Sequence, residues 1–272
     1  MKTNDDFDAE IRTVKDGIMH RGLFTCGGKD REEGDSVVNW RKSSRRYLFI
    51  TKELYYDVGP WEDIRVDGIK HDENWVYINV FLKGENVEKH LIANVIDHSK
   101  PFYPNIINVL YGLELASKNN GDYPKYRDWS YCKEAMMFYF KESALARINC
   151  GKTIAPESVG NTTPQNRLKK LICDNFDVLK RQIKYLDADI IVCCGNQNGQ
   201  NLIKNYLVDK IYGNSVEGSR GVYYSENPPK IIIDSYHPSI RPTILTRKNF
   251  YKDTVKPFAE FIKKHPEFRS FR

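Results

Sequence analysis

Ile231-Ile232-Ile233-Asp234-Ser235-Tyr236-His237-Pro238-Ser239-Ile240-Arg241 is a short, β-branched apolar run that delivers a histidine into a proline-stiffened turn. Open α/β sheets present their chemistry in the crevice beyond the carboxyl ends of their strands, so a buried strand ending this way nominates His237 as a site residue. Pro238 fixes its own φ and pushes the preceding residue toward extended backbone, so the chain itself aims the imidazole. On this stretch alone, an ordinary His-Pro turn capping a strand reads equally well.

Working outward, three further apolar runs read as inner strands: Tyr47-Leu48-Phe49-Ile50-Thr51, Ala144-Leu145-Ala146-Arg147-Ile148, and Asp189-Ile190-Ile191-Val192-Cys193-Cys194. Each is followed by a polar or glycine-bearing turn, and helical spacing fills the intervals between them. Helices are expected from Ile106 to Leu115, from about Asn166 to Leu186, from the turn at Gly195 through Leu202 and Ile203, and from Phe250 to Lys264. Strands alternating with helices predict an α/β fold, a three-layer α/β/α sandwich with a central, mainly parallel four-stranded sheet. The chain reads as one domain, with an N-terminal helical extension over about 1–40 and a helical insertion over about 57–143. In that fold the ends of the four strands bring Glu53, Asn149 and His237 toward one edge.

Composition narrows the class. Hydrophobic residues make up 40% and charged residues 29% of the 272, and no apolar run approaches the ~20 residues of a membrane helix. The acidic, polar start from Met1 to Arg12 lacks the basic-then-apolar pattern of a secretory signal, so a soluble cytoplasmic protein without a membrane partner is expected. The six cysteines form no Cys-x-x-Cys pair, which suggests neither a metal site nor a disulfide framework. Net charge is +6, and residues 240–272 alone carry nine Lys or Arg against three Asp or Glu. A basic surplus that begins beside His237 points to a polyanionic partner. Gly195 completes no phosphate-binding fingerprint, which argues against a nucleotide cofactor.

Taken together, Lys52-Glu53-Leu54-Tyr55 after the first strand, Arg147-Ile148-Asn149-Cys150-Gly151-Lys152 after the second, Val192-Cys193-Cys194-Gly195 after the third, and Tyr236-His237-Pro238-Ser239-Ile240-Arg241 after the fourth resemble the uracil-DNA glycosylase superfamily, and most of all its bacterial and archaeal branches. The order and spacing of these pieces span roughly residues 47 to 245. The resemblance implies a monofunctional DNA glycosylase that hydrolyses the N-glycosidic bond of a flipped-out, uracil-like or chemically modified pyrimidine and leaves an abasic site. Such chemistry needs negative charge near an oxocarbenium-like sugar and a hydrogen-bond donor at the departing base.

By that resemblance, Glu53 positions or deprotonates the attacking water and stabilises the sugar cation, while His237 donates to the base. Asn149 reads the base edge, since a flipped pyrimidine presents both donors and acceptors. Phe102, with Tyr103 as the alternative, supplies an aromatic plate, and Tyr55 lies against the base. Ile244 or Leu245 is the apolar wedge of a loop entering the minor groove, and Arg241, Arg247 and Lys152 lie near phosphates. The chain is expected to act as a monomer on DNA, duplex or single-stranded, in repair or in defence against phage DNA with modified bases, with no metal and no cofactor. The first motif departs from the family in having Lys52 where glycine is usual and Leu54-Tyr55-Tyr56 where a small residue, proline and glycine are usual. Those bulky groups shift the expected base away from plain uracil. They also leave two competing readings: a catalytically inactive module that binds modified bases, and a nucleoside hydrolase.

Overall fold

The computed structural model describes residues 43–52, 102–127, 143–151, 165–213, 215–239 and 247–271, with Trp40, the two-residue ladder of Arg65–Val66 with Ile69–Lys70, and helical residues at 134–135 and 138–139. Six strands form the main sheet: β1 (Arg46–Thr51), β2 (Ala144–Asn149), β3 (Ile190–Cys193), β4 (Val216–Ser219), β5 (Val222–Glu226) and β6 (Pro229–Asp234). Their spatial order is β2-β1-β3-β6-β5-β4. The first four in that order run parallel, and β5 and β4 extend the sheet antiparallel beyond β6. The fold is α/β and mainly parallel, as expected, but the sheet has six strands rather than four.

The four parallel strands are the four apolar runs of the sequence, because only a strand buried on both faces is continuously apolar. Alternate residues separate into two cores. Tyr47, Phe49, Ile190, Val192, Ile231 and Ile233 pack with helices α1 (Phe102–Lys118) and α5 (Arg247–Lys264). Leu48, Ile50, Ile191, Cys193 and Ile232 pack with α2 (Gln165–Asp174) and α3 (Phe176–Leu186). Between β3 and β4 lies a π-helical turn, Lys204–Val208, that continues as the short helix α4 (Asp209–Tyr212). Gly112 lets α1 and α5 close on each other, since a Cβ there would lie 2.7 Å from the Tyr251 hydroxyl and 2.8 Å from Val255. No helix among the described residues is long and apolar enough to cross a membrane.

Three expectations about local structure change. The helix expected over about 166–186 is two helices, broken at Asn175. The buried Asn175 amide donates to the Leu171 carbonyl at 2.9 Å and to the Cys150 carbonyl at 3.2 Å, competing with the helix's own ladder. The helix expected from Ile106 begins at Phe102, since a proline in the first turn, here Pro104, removes only a donor that has no partner within the helix. Gly195 opens not a helix but a hairpin, Asn196–Gln197 with Gln200–Asn201, turned by Asn198 (φ 53°) and Gly199 (φ 79°). Two positive φ values in Asn-Gly mark a type I′ turn. Most of the expected N-terminal extension and of the 57–143 insertion lies outside the described residues, α1 excepted.

The amino ends of the parallel strands are clamped by charge. Arg46 donates from its backbone N–H and Nε to Asp189 Oδ2 at 2.9 and 3.1 Å, and from Nη2 to Oδ1 at 2.9 Å. Lys230, at the start of β6, donates to Asp187 Oδ1 at 2.7 Å. Burial alone would raise the Asp187 carboxyl, but the hydrogen bond and charge of Lys230, joined by Arg46, outweigh it and hold the group below the usual value. A carboxyl that is more acidic in the folded state adds stability above the unfolded pKa near pH 4 and loses it as pH falls through the folded value.

Asp189→Ala leaves the buried Arg46 guanidinium with only the half-exposed Asp187 as a carboxylate partner, and we expect urea unfolding to show a loss of about 2–4 kcal/mol. A loss below about 1 kcal/mol would mean that the clamp is dispensable.

Candidate functional site

All four parallel strands end at one edge, at Thr51, Asn149, Cys193 and Asp234. Thr51 and Asn149 are partners in register, as are Asp234 and Cys193. Backbone bonding carries the edge slightly further, with Gly151 N–H donating to Lys52 O at 2.8 Å and Ser235 N–H to Cys193 O at 3.0 Å. Asn149, at the end of β2, and His237, in the turn after β6, therefore sit at a hydrogen-bonded ledge of the sheet.

The segment after β6 is tethered on both sides of His237. The Thr254 hydroxyl on α5 donates to Phe250 O at 2.9 Å, so it accepts from the Ser235 hydroxyl at 3.0 Å. On the other side, Asn105 of α1 donates from Nδ2 to Pro238 O at 2.6 Å. Ser235, Thr254 and Asn105 are all buried, so neither tether competes with bulk water.

His237 is partly buried, with its ring centroid 5.6 Å from that of Phe102. Its Nδ1 accepts the Ser239 backbone N–H at 3.2 Å, which assigns the proton of the neutral ring to Nε2. Burial, then the positive charges of Lys52 and Arg147, push its pKa down to about 3. The ring is thus a neutral imidazole near pH 7, offering one N–H donor. Phe102, the expected plate, is the first residue of α1 and is buried, and the Arg147 guanidinium lies 4.9 Å from its ring centroid.

Asn149 is 1% exposed and shares a face of β2 with Leu145 and Arg147, the face that packs under α1. Its Oδ1 accepts the Thr51 hydroxyl, and its Nδ2 has no hydrogen-bond partner among the described residues. An orphaned buried donor costs about 1–3 kcal/mol, so this amide has a donor open to an acceptor from beyond the described residues.

Of the expected set, Phe102 and His237 lie against each other, and Asn149 ends β2 on the strand face that carries Arg147, whose guanidinium covers the Phe102 ring. Arg247 is exposed at the first residue of α5. Glu53, Tyr55, Lys152, Arg241, Ile244 and Leu245 lie outside the described residues. Arg147 is a site residue that sequence reasoning missed, although a charge inside the otherwise apolar run Ala144–Asn149 is a signal for it. Lys52, which the sequence marks only as a departure from the family's first motif, is buried at the ledge. Asn105 carries no local signal, because its partner is 133 residues away.

The opposite face of the same edge is structural. The Asp234 carboxylate accepts from Asn196 Nδ2 at 2.9 Å and from Asn201 Nδ2 at 2.7 Å, which holds the hairpin against β6. A Cβ on Gly195 would meet Ile203 at 2.7 Å and Asn201 Oδ1 at 2.8 Å, so this glycine serves close packing. Burial raises the thiols of Cys193 and Cys194, which keeps both protonated. No group of three or more His, Cys, Asp or Glu suited to a metal ion occurs among the described residues.

A histidine whose folded pKa lies below its unfolded value binds fewer protons in the native state, so between about pH 3 and the ordinary 6.5 its stability contribution falls as pH falls. In 15N-detected histidine spectra we expect His237 to remain the neutral Nε2–H tautomer down to about pH 4. Titration near pH 6.5 would contradict the buried, cation-flanked setting.

No protein-family model matches this chain, and no curated protein matches it significantly, so the geometry of this ledge is the guide to what the protein does.

Proposed function

We propose that the chain is a DNA glycosylase that hydrolyses the N-glycosidic bond of a flipped-out, uracil-like or chemically modified pyrimidine. The observation that supports the reading is that the carboxyl edge of the sheet carries both a buried amide donor, on Asn149 at the end of β2, and a neutral imidazole donor, on His237 in the turn after β6. Breaking the C1′–N1 bond leaves its electron pair on the base, where charge spreads onto an exocyclic carbonyl oxygen. Donors fixed in advance at that oxygen act on the transition state more than on the ground state. A neutral ring suits this role, because it donates a hydrogen bond without having to give up a proton.

The positive field of Lys52 and Arg147 that keeps His237 neutral also favours an anionic leaving base. Phe102, with Arg147 over its ring, is the plate against which a planar base would lie. Glu53, one residue beyond the ledge, is assigned to the sugar cation and to the water that adds at C1′. That water loses its proton to the carboxylate, and the products are the free base and an abasic deoxyribose. The reading brings with it a three-layer α/β/α sandwich built on the four parallel strands, supported by the two separate cores on either side of the sheet. A monomer acting in the cytoplasm, in repair or against phage DNA carrying modified bases, completes it.

The test is incubation with single-stranded and duplex oligonucleotides carrying uracil, other deaminated bases or hypermodified pyrimidines, followed by alkaline cleavage at abasic sites. His237→Ala, Asn149→Ala and Glu53→Gln should each slow base release by ~10²-fold or more. Wild-type rates in all three would sink the assignment of roles. Tight, base-dependent binding with no release of any base would instead favour a binding module.

A further inference from the structure

Away from the ledge, on the outer side of α2, α3 and the π-helical turn, three lysines are gathered on two aromatic rings. Lys169 Nζ lies 4.6 Å and Lys210 Nζ 5.6 Å from the Tyr206 ring centroid. Lys210 is also 5.9 Å, and Lys180 6.0 Å, from the Phe176 centroid. Both distances to Tyr206 run to one point, so Lys169 and Lys210 are within about 10 Å of each other. Neighbouring carboxylates are committed to other lysines, except Asp177, which is exposed in the first turn of α3. Asp174 pairs with Lys170, Asp209 pairs with Lys204, and Asp177 makes no ion pair among the described residues. None of Lys169, Lys180 and Lys210 has a carboxylate partner among the described residues, and Lys169 and Lys210 are exposed. Like charges held this close repel, and a surface that gathers them without counter-charges is complementary to an extended polyanion.

The patch is joined to the ledge. Gln165, at the start of α2, donates from Nε2 to Gln197 O at 3.1 Å, in the hairpin that follows β3, and Lys169 lies one helical turn beyond it. Tyr206 lies in the π-helical turn Lys204–Val208, where its ring meets Lys169 of α2 and Lys210 four residues further along its own helical segment.

We propose that Lys169, Lys180 and Lys210, steadied by Tyr206 and Phe176, form an auxiliary binding surface for the phosphate backbone of the DNA flanking the target base. It rests on the reading of the substrate as DNA and adds to it a second point of attachment, on the face of the sheet opposite α1. Backbone binding of this kind fixes position and is indifferent to sequence. A DNA strand carries one charge per ~3.4 Å of axis, so the span between Lys169 and Lys210 reaches at most about three phosphates.

The experiment is fluorescence anisotropy of the full chain on an unmodified duplex oligonucleotide across a salt series, comparing wild type with Lys169→Gln, Lys180→Gln, Lys210→Gln combined. We expect the slope of log affinity against log salt to flatten by about 2–3, at about 0.9 for each phosphate no longer neutralised, and affinity at 0.1 M salt to fall roughly tenfold or more. Single-turnover base release at saturating protein should be unchanged. Should the triple variant fail to fold by circular dichroism, Lys169→Gln alone should flatten the slope by about 1.

DNA binding with an unaltered slope overturns the proposal and leaves the glycosylase reading standing. A flattened slope with no base released by the wild type does the reverse. Failure of the wild type to bind DNA overturns the proposal as well, and so does a variant that loses binding to anionic phospholipid vesicles while keeping its DNA affinity.

Discussion

Burial of the four parallel strands on both faces is the constraint from which the rest of the structure follows. With Tyr47, Phe49, Ile190 and Ile231 sealed under α1 and α5, and Leu48, Ile50, Ile191 and Ile232 sealed under α2 and α3, the middle of these strands is almost wholly apolar, the buried Arg147 of β2 being the exception. Charge is driven to the two ends. At the amino ends it is neutralised pairwise, Arg46 by Asp189 and Lys230 by Asp187, and acts as a clamp. At the carboxyl ends the arrangement differs: Lys52, Asn149 and the turn bearing His237 all lie at this edge, and Asn149 Nδ2 is left without an acceptor among the described residues.

The chemistry of that edge turns on a balance of two electrostatic effects. Burial disfavours the imidazolium, and Lys52 and Arg147 disfavour it further, so the field that would attract an anion keeps His237 from competing for the same charge. A protonated histidine there would add a third positive group and bind anions of many kinds. A neutral one adds direction instead, because its single N–H points where the Ser239 hydrogen bond to Nδ1 requires.

Much of this is legible in the sequence where the physics is local. The β-branched, uninterrupted runs at 47–51, 144–148, 189–194 and 231–234 read as doubly buried strands, and Pro238 marks His237 as an aimed side chain. The β4–β5 hairpin escapes such a reading because Val216–Ser219 is a half-exposed edge strand containing Glu217 and Gly218, without a strong apolar signature. The Asn198-Gly199 turn is a readable hairpin signal that intervenes before the expected helix, which begins only at Leu202-Ile203 and runs on through the π-helical turn. The tethers from Asn105 and Thr254, and the approach of Arg147 to Phe102, join segments far apart in the chain, and no local pattern encodes them.

The double tether has a consequence for how the protein ages and fails. Because the turn bearing His237 hangs from α1 on one side and α5 on the other, and these helices interlock at Gly112 and Tyr251, the imidazole has no private hinge. Heat cannot loosen it without loosening the core, so competence and compactness should vanish in one step rather than two.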